Sequence, residues 1–450
     1  MMQKAIIALF LFIGLLPSVA QAQQRLSLIR DVEIERYMHE WFSPILRAAG
    51  LTDHSVDIIL VNDSTLNAYV AGGSNVFFHT GLLTETDNVG EVIGVFSHEL
   101  GHITGGHLIR GREAANQAGI QALATTLIGL GAAIASGSGQ AAGAAITAGQ
   151  AMGANHFLSH SRVQESSADQ AALSFMQDAH LNPQGFRSFL VKLEDQELLP
   201  AGQQVEYVRT HPLTTNRIES VSARIDASPY VDKELPAAWQ EQHARMKAKL
   251  IGFITPDRVK YIYKENDKSI AADYARAIAA YRQSNFDEAK LALEGLLKQE
   301  PKNPYFAELL GQVYRDSGDI NEAIKYFNQA DQNLEKPSAL IKTGLAHVWL
   351  EKDRTNSSAY QAIKYLKQAL NLDDKTSSVY RLLATAYGRV GQDGLAKLYL
   401  AEEGLLRGDY DYARRQVEAA SRDIKQDSPD YLKAQDLLLV IKQRQEKKDG

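Results

Sequence analysis

Val92-Ile93-Gly94-Val95-Phe96-Ser97-His98-Glu99-Leu100-Gly101-His102 is the stretch that decides how this chain is read. Its apolar residues recur with a helical period, and Asp87 and Asn88 just upstream offer side-chain oxygens that can cap a helix. On a helix, His98 and His102 stand one turn apart on the same face, so both imidazoles can reach one metal ion. Glu99 lies about 100° round from His98, where its carboxylate can take a proton from a metal-bound water. The bland alternative is a solvated helix with two ordinary histidines. The helical setting and the apolar flank argue against it.

The residue that completes the site decides its class. In the pattern His-Glu-x-x-His-x-x-Gly-x-x-His, Gly105 fits the glycine, but position 108 is Leu108 and His107 falls one residue short. The other solution is a carboxylate from a second helix. Gln164-Glu165-Ser166-Ser167-Ala168-Asp169 sets Glu165 and Asp169 four apart on one helical face. One could bind the metal while the other holds a ligand imidazole. Such acid pairs are also common on solvated helices, so this one is weak when taken alone.

Composition narrows the chemistry further. A length of 450 residues allows two to four domains, and the 45% hydrophobic and 23% charged content is that of a globular protein. A formal charge of −6 is too mild for a nucleic-acid binder. The chain has no cysteine. Disulfides, thiol catalysis, thiolate zinc sites and iron–sulfur clusters are therefore excluded. Any metal must be held by His, Asp or Glu, which is the ligand pattern of catalytic rather than structural zinc.

The N-terminus has the layout of a cleavable secretory signal: Lys4, an apolar run from Ala5 to Leu16, Pro17, then Ala20-Gln21-Ala22. Cleavage is expected after Ala22, giving an exported protein. The apolar run is short against the roughly 20 residues that a spanning helix needs.

The C-terminal part repeats. Phe286-Asp287-Glu288-Ala289, Ile320-Asn321-Glu322-Ala323, Tyr360-Gln361-Ala362-Ile363 and Gly394-Leu395-Ala396-Lys397 align, with alanine-to-alanine intervals of 34, 39 and 34. This resembles the tetratricopeptide repeat, a helix–turn–helix of 34-residue period. Four repeats with a degraded cap are expected. The interval of 39 implies about five inserted residues, assigned to Asp353–Ser357 at the turn between two helices. Stacked repeats make a binding surface, not a catalyst.

With these parts in order, the chain resembles the M48 metallopeptidase family, and within it the exported periplasmic members that carry C-terminal repeats. The resemblance covers nearly the whole mature chain. Asn67-Ala68-Tyr69-Val70-Ala71-Gly72-Gly73 and Val76-Phe77-Phe78-His79-Thr80-Gly81-Leu82-Leu83 match the family's strand pair ahead of the metal helix. The resemblance implies one zinc ion held by His98, His102 and Glu165, with Glu99 as general base and Asp169 as partner to a ligand imidazole. Thr210-His211-Pro212-Leu213 resembles the family's His-Pro segment, which makes His211 a candidate plug in the fourth zinc position. Arg217 would be the active-site arginine, aiding the oxyanion. Asn67, Ala68 and Tyr69 are candidates for pairing with an extended substrate, if a strand edge is free beside the metal helix.

The expected fold is mainly helical with a small sheet in a zincin-like peptidase domain over 23–268, then an α-solenoid over 269–450. By resemblance the enzyme cleaves misfolded or misassembled outer-membrane proteins in the periplasm, and its repeats engage the barrel-assembly or lipopolysaccharide-export machinery. A rival reading is a chaperone or scaffold in which proteolysis is secondary. Ala114–Ser161 contains no Asp, Glu, Lys or Arg. It reads either as a soluble hairpin beside the active site or as a segment in contact with the membrane. His39, His54, His156, His160, His180, His243 and His347 show no metal-ligand spacing and are expected at the surface or in packing.

Overall fold

The computed structural model describes residues 26–136, 161–197, 199–200, 203–373 and 376–449. The signal segment over 1–22 lies outside the described residues, as do 137–160 of the uncharged Ala/Gly segment with its His156 and His160.

β-Branched and aromatic residues, which suit a pleated and half-buried surface, build a four-stranded sheet from β1 (Leu28–Ile29), β2 (Asp57–Val61), β3 (Ala68–Ala71) and β4 (Asn75–His79). The order is β1-β2-β4-β3, with β2 and β4 parallel and the outer pairs antiparallel. β3 is therefore an edge strand of this sheet. Helix α1 (Val32–Ala48) begins where the Asp31 side chain accepts from the Glu33 and Ile34 amides. Its Phe42 stacks on Phe96 with ring centroids 3.9 Å apart and meets Phe78 of β4 at 5.7 Å. Aromatic pairs of this kind add about 0.5–1.5 kcal/mol beyond their buried area. They tie α1, the sheet and the motif helix into one core.

After the short α2 (Thr80–Glu85) comes that motif helix, α3 (Val89–Thr104), with the Asn88 side chain accepting from the Glu91 amide. Every residue from Val89 to Gly101 is buried. Helix α4 (His107–Ser136) follows, then α5 over residues 161–178, α6 (Gln184–Lys192), α7 (Glu194–Glu197), α8 (Glu206–Thr210), α9 (Thr215–Asp226), α10 (Ala237–Ile254) and α11 (Val259–Ile262). The approach of α5 to α3 is unusually close. A Cβ on Gly101 would lie 2.7 Å from the Ala168 carbonyl oxygen and 2.9 Å from its Cα. Glycine inside the motif thus lets the backbone of α5 touch α3 at the residue lying between Glu165 and Asp169.

The remaining described residues form ten helices: α12 (Ile270–Arg282), α13 (Phe286–Gln299), α14 (Pro304–Asp316), α15 (Ile320–Asn333), α16 (Ala339–Lys352), α17 (Asn356–Leu372), α18 (Ser377–Arg389), α19 (Asp393–Leu406), α20 (Tyr410–Asp423) and α21 (Pro429–Asp449). They pack as successive antiparallel neighbours, the arrangement of an α-solenoid. Ala289, Ala323 and Ala362 are fully buried. Ala396 is only half-buried, and Gly394 takes the buried place beside it.

The expected insertion at the turn after α16 is corrected. That turn is three residues, 353–355, as long as the turn 317–319 before α15. Three of the five extra residues sit in α17, which has 17 residues against 14 in α13 and α15, one in α16, which has 14 against 13 in α14, and one in the loop 334–338. Capping explains this: the Thr355 side chain accepts from the Ser358 amide and starts the helix at once.

A buried polar network joins the two halves. Lys249 of α10 lies 2.7 Å from Asp31 and 3.0 Å from Glu33, and Tyr274 of α12 donates to Glu33 at 3.0 Å. Arg245 forks onto Glu300 at the end of α13.

Candidate metal centre

Four buried or nearly buried side chains converge where α3, α5 and the loop after α8 meet. His98 Nε2 is 3.1 Å from His102 Nε2, 3.2 Å from Glu165 Oε2 and 3.3 Å from His211 Nδ1. Glu165 Oε1 is 3.3 Å from His102 Nε2, and His211 Nδ1 is 3.2 Å from Glu165 Oε2. Donor atoms of all four residues lie within 4.8 Å of one another.

Whether these residues fit a metal is a question of edges. Four N and O ligands about 2.0–2.1 Å from a tetrahedral ion stand roughly 3.3 Å apart. The observed edges of 3.1–3.3 Å have that length. Tautomers agree. His98 Nδ1 is 2.9 Å from Asp169 Oδ1, which assigns the ring proton to Nδ1 and turns the Nε2 lone pair into the cluster. Lone pairs and a carboxylate facing one point repel unless a cation lies between them, so the donor set suits a divalent ion.

Arg217 of α9 holds the arrangement from behind. Its guanidinium forks onto Asp169 at 2.7 and 2.8 Å, lies 3.1 Å from Glu165 Oε2, and donates to the Pro212 carbonyl at 2.8 Å. The buried guanidinium is engaged with Asp169, Glu165 and the His211-Pro212 backbone. These contacts orient the carboxylates and the loop.

Charge follows from burial and partners. Desolvation opposes the charged form of His98, but Asp169 and Glu165 outweigh it and push the imidazole up to about 9, so a proton and a metal ion compete for the same Nε2 lone pair. His102 is pushed down to about 3, chiefly by burial. Glu165 is desolvated too, yet its histidine neighbours hold it well below the ordinary carboxylate range. Glu99, fully buried on the other side of His211 with 3.4 Å between Oε1 and Nε2, is raised by desolvation. A carboxylate raised in this way is a better proton acceptor than a solvated one.

His211 ends α8, its amide donating to the Tyr207 carbonyl at 2.8 Å and its ring stacking on Tyr207 with centroids 4.7 Å apart. Asn67 and Ala68 are buried at the start of β3, and the Thr210 hydroxyl lies 3.5 Å from Asn67 Oδ1. Tyr69 is half-buried and stacks on Phe77 at 5.0 Å. The edge backbone of β3 thus runs beside the His211 loop. Tyr207, which no motif marks, also stands here, as does His107, whose Nδ1 is 3.0 Å from His102 Nδ1. The spacing of His107 had counted against it only as a direct ligand.

Among the described residues no helix is long and apolar enough to cross a membrane. The metal-binding motif, the carboxylate helix and the repeat array define a metallopeptidase with an appended helical solenoid. Residues 33–225 match the profile described as Peptidase family M48, and residues 274–336 match a tetratricopeptide repeat profile. The chain joins an M48 peptidase domain to tetratricopeptide repeats. It is 26% identical over 419 residues to the Beta-barrel assembly-enhancing protease of Escherichia coli (strain K12), covering 90% of this chain and 82% of that protein. The Beta-barrel assembly-enhancing protease of Yersinia pestis is 28% identical over 306 residues, covering 66% and 61%. Among solved structures, MamA aligns with 39% of this chain and 96% of its own at a TM-score of 0.29 and 21% identity.

Proposed function

We propose that the chain is an exported zinc endopeptidase of the periplasm, with its peptidase domain over 23–268 and its repeats over 269–450. Zinc is held by His98, His102 and Glu165, and His211 occupies the fourth position in the resting form. The single observation that carries this is the set of ligand–ligand edges, 3.1–3.3 Å, which suits one small tetrahedral ion. When bound, zinc supplies Lewis acidity toward the scissile carbonyl and the attacking water. Glu99 takes the water's proton at its carboxylate and delivers it to the leaving amine. Asp169 keeps the proton of His98 on Nδ1, and Arg217 keeps Asp169 ionised. An extended substrate adds to the edge of β3 from Ala68 to Ala71. A folded strand cannot present its backbone in this way, so unfolded or misassembled outer-membrane proteins are the substrate class. That assignment, and the repeats as the part that engages the barrel-assembly or lipopolysaccharide-export machinery, follow the named function of the relatives.

The test is zinc content and casein cleavage of the mature protein beside Glu99→Gln. The variant should keep one zinc per chain and lose cleavage by about 10²–10⁴-fold, the contribution of a general base. A wild-type protein without zinc would sink the reading. The rival, a chaperone or scaffold, has one feature in its favour: with His211 seated against Glu99 the resting site is closed. Assembly activity retained in Glu99→Gln supports that rival.

A further inference from the structure

The two motif histidines are held from behind by different groups. His98 Nδ1 meets the Asp169 carboxylate, itself clamped by Arg217. His102 Nδ1 meets an imidazole, His107 Nδ1, at 3.0 Å with the rings nearly perpendicular at 80°. We propose that His107 is a positioning residue, the hydrogen-bond acceptor that fixes the ring orientation and tautomer of His102 for metal binding. The inference rests on the metal reading of the site.

The local fold is built for this contact. His102 Nε2 faces His98 and Glu165, so its lone pair there is the one offered to the ion, and its proton must sit on Nδ1. Only an acceptor can face that N–H at 3.0 Å, which assigns the lone pair of His107 to its Nδ1 and its proton to Nε2. Two glycines bring the ring there. Gly106, at φ 64°, turns the chain between α3 and α4, so that His107 opens α4 and folds back toward α3. Gly105 leaves the space that the ring fills: a Cβ there would lie 2.3 Å from His107 Nε2. His107 is buried, and its carbonyl accepts from Gln164 at 3.1 Å. It is thus anchored to the residue next to the ligand Glu165.

Gly105 itself has an ordinary helical backbone, φ −72° and ψ −12°, so alanine is compatible with the main chain at this position. Its Cβ would act by displacing His107. This separates a role in positioning from general packing.

The experiment measures zinc affinity by chelator competition, and the d–d spectrum of cobalt-loaded protein, for the full mature chain. His107→Phe keeps a ring against Gly105 but cannot accept a hydrogen bond, and Gly105→Ala expels the ring. Each should weaken zinc binding by about 10–100-fold, as loss of an outer-shell partner does, and alter the cobalt spectrum. His107→Gln, whose carbonyl oxygen can accept, should recover part of the loss. Gly105→Ala should add nothing in a His107→Ala background. Wild-type affinity in His107→Phe would reduce His107 to packing and overturn the proposal. So would an undiminished Gly105→Ala effect in the absence of His107. A wild-type chain that binds neither zinc nor cobalt would overturn the metal reading and this inference with it. If His107→Phe does not fold, the Gly105 pair carries the test.

Discussion

Gly101→Ala probes how α5 delivers its ligand. The added Cβ would sit 2.7 Å from the Ala168 carbonyl oxygen and 2.9 Å from its Cα, both backbone atoms that cannot swing aside. Relief needs α5 to retreat by roughly half an ångström or more, since heavy atoms pack best near 3.5–4.0 Å. Ala168 lies three residues after Glu165 and one before Asp169, so the retreat moves both carboxylates. Metal–ligand distances tolerate only about 0.2 Å. Overpacking costs about 1–3 kcal/mol, while alanine improves on glycine in a helix by about 1 kcal/mol. The two nearly cancel, so thermal stability is a poor reporter and zinc affinity is the informative one. We expect affinity to fall at least tenfold with only a small change in Tm. Gly94→Ala is the control: its Cβ would lie 2.6 Å from Phe186 on α6, an equally tight clash against a helix that carries no ligand. Wild-type zinc affinity in Gly101→Ala, or an equal loss in Gly94→Ala, would refute the reasoning.

His211→Ala should raise the rate of casein cleavage, because it removes the group standing between Glu165 and Glu99 while leaving His98, His102 and Glu165 in place. An unchanged or lower rate argues against a plug. At the junction of the two halves, burial and the nearby Asp31 and Glu33 push the Glu308 carboxyl up to about 7 against the pull of Lys249. A carboxyl raised in the folded state holds its proton there longer than in the unfolded chain. Stability is therefore lost as pH rises from the ordinary carboxylate range through 7. Glu308→Gln should accordingly raise Tm at pH 8 by the equivalent of up to about 3 kcal/mol, and have little effect at pH 4. Equal shifts at both pH values would show that its charge is not the cause.

Much of this protein was legible because the decisive patterns are local. A helix brings residues i and i+4 to one face whatever surrounds it, so His98, Glu99 and His102 announce their geometry in five letters. The acid pair Glu165 and Asp169 obeys the same rule. The repeats are legible for a related reason: each helix packs mainly on its sequence neighbours, so the period of small residues survives in the chain. Capping hid one detail, since Thr355 starts α17 at once and most of the inserted length lies in that helix, not in the turn.

What the sequence alone determined, then, was the chemistry of each helical face: two imidazoles and a base on one, two carboxylates on another, and no thiol to compete with them. Tertiary structure decided which faces meet. The separation of 63 positions between His102 and Glu165 is closed by the fit of Gly101 against Ala168, a contact between backbones that leaves no periodic trace. The same holds for Arg217, whose guanidinium turned out to brace Asp169 and Glu165, and for His107, which reaches His102 only because the chain turns at Gly106. Such contacts depend on where a packed chain returns in space, and helical periodicity carries no information about that.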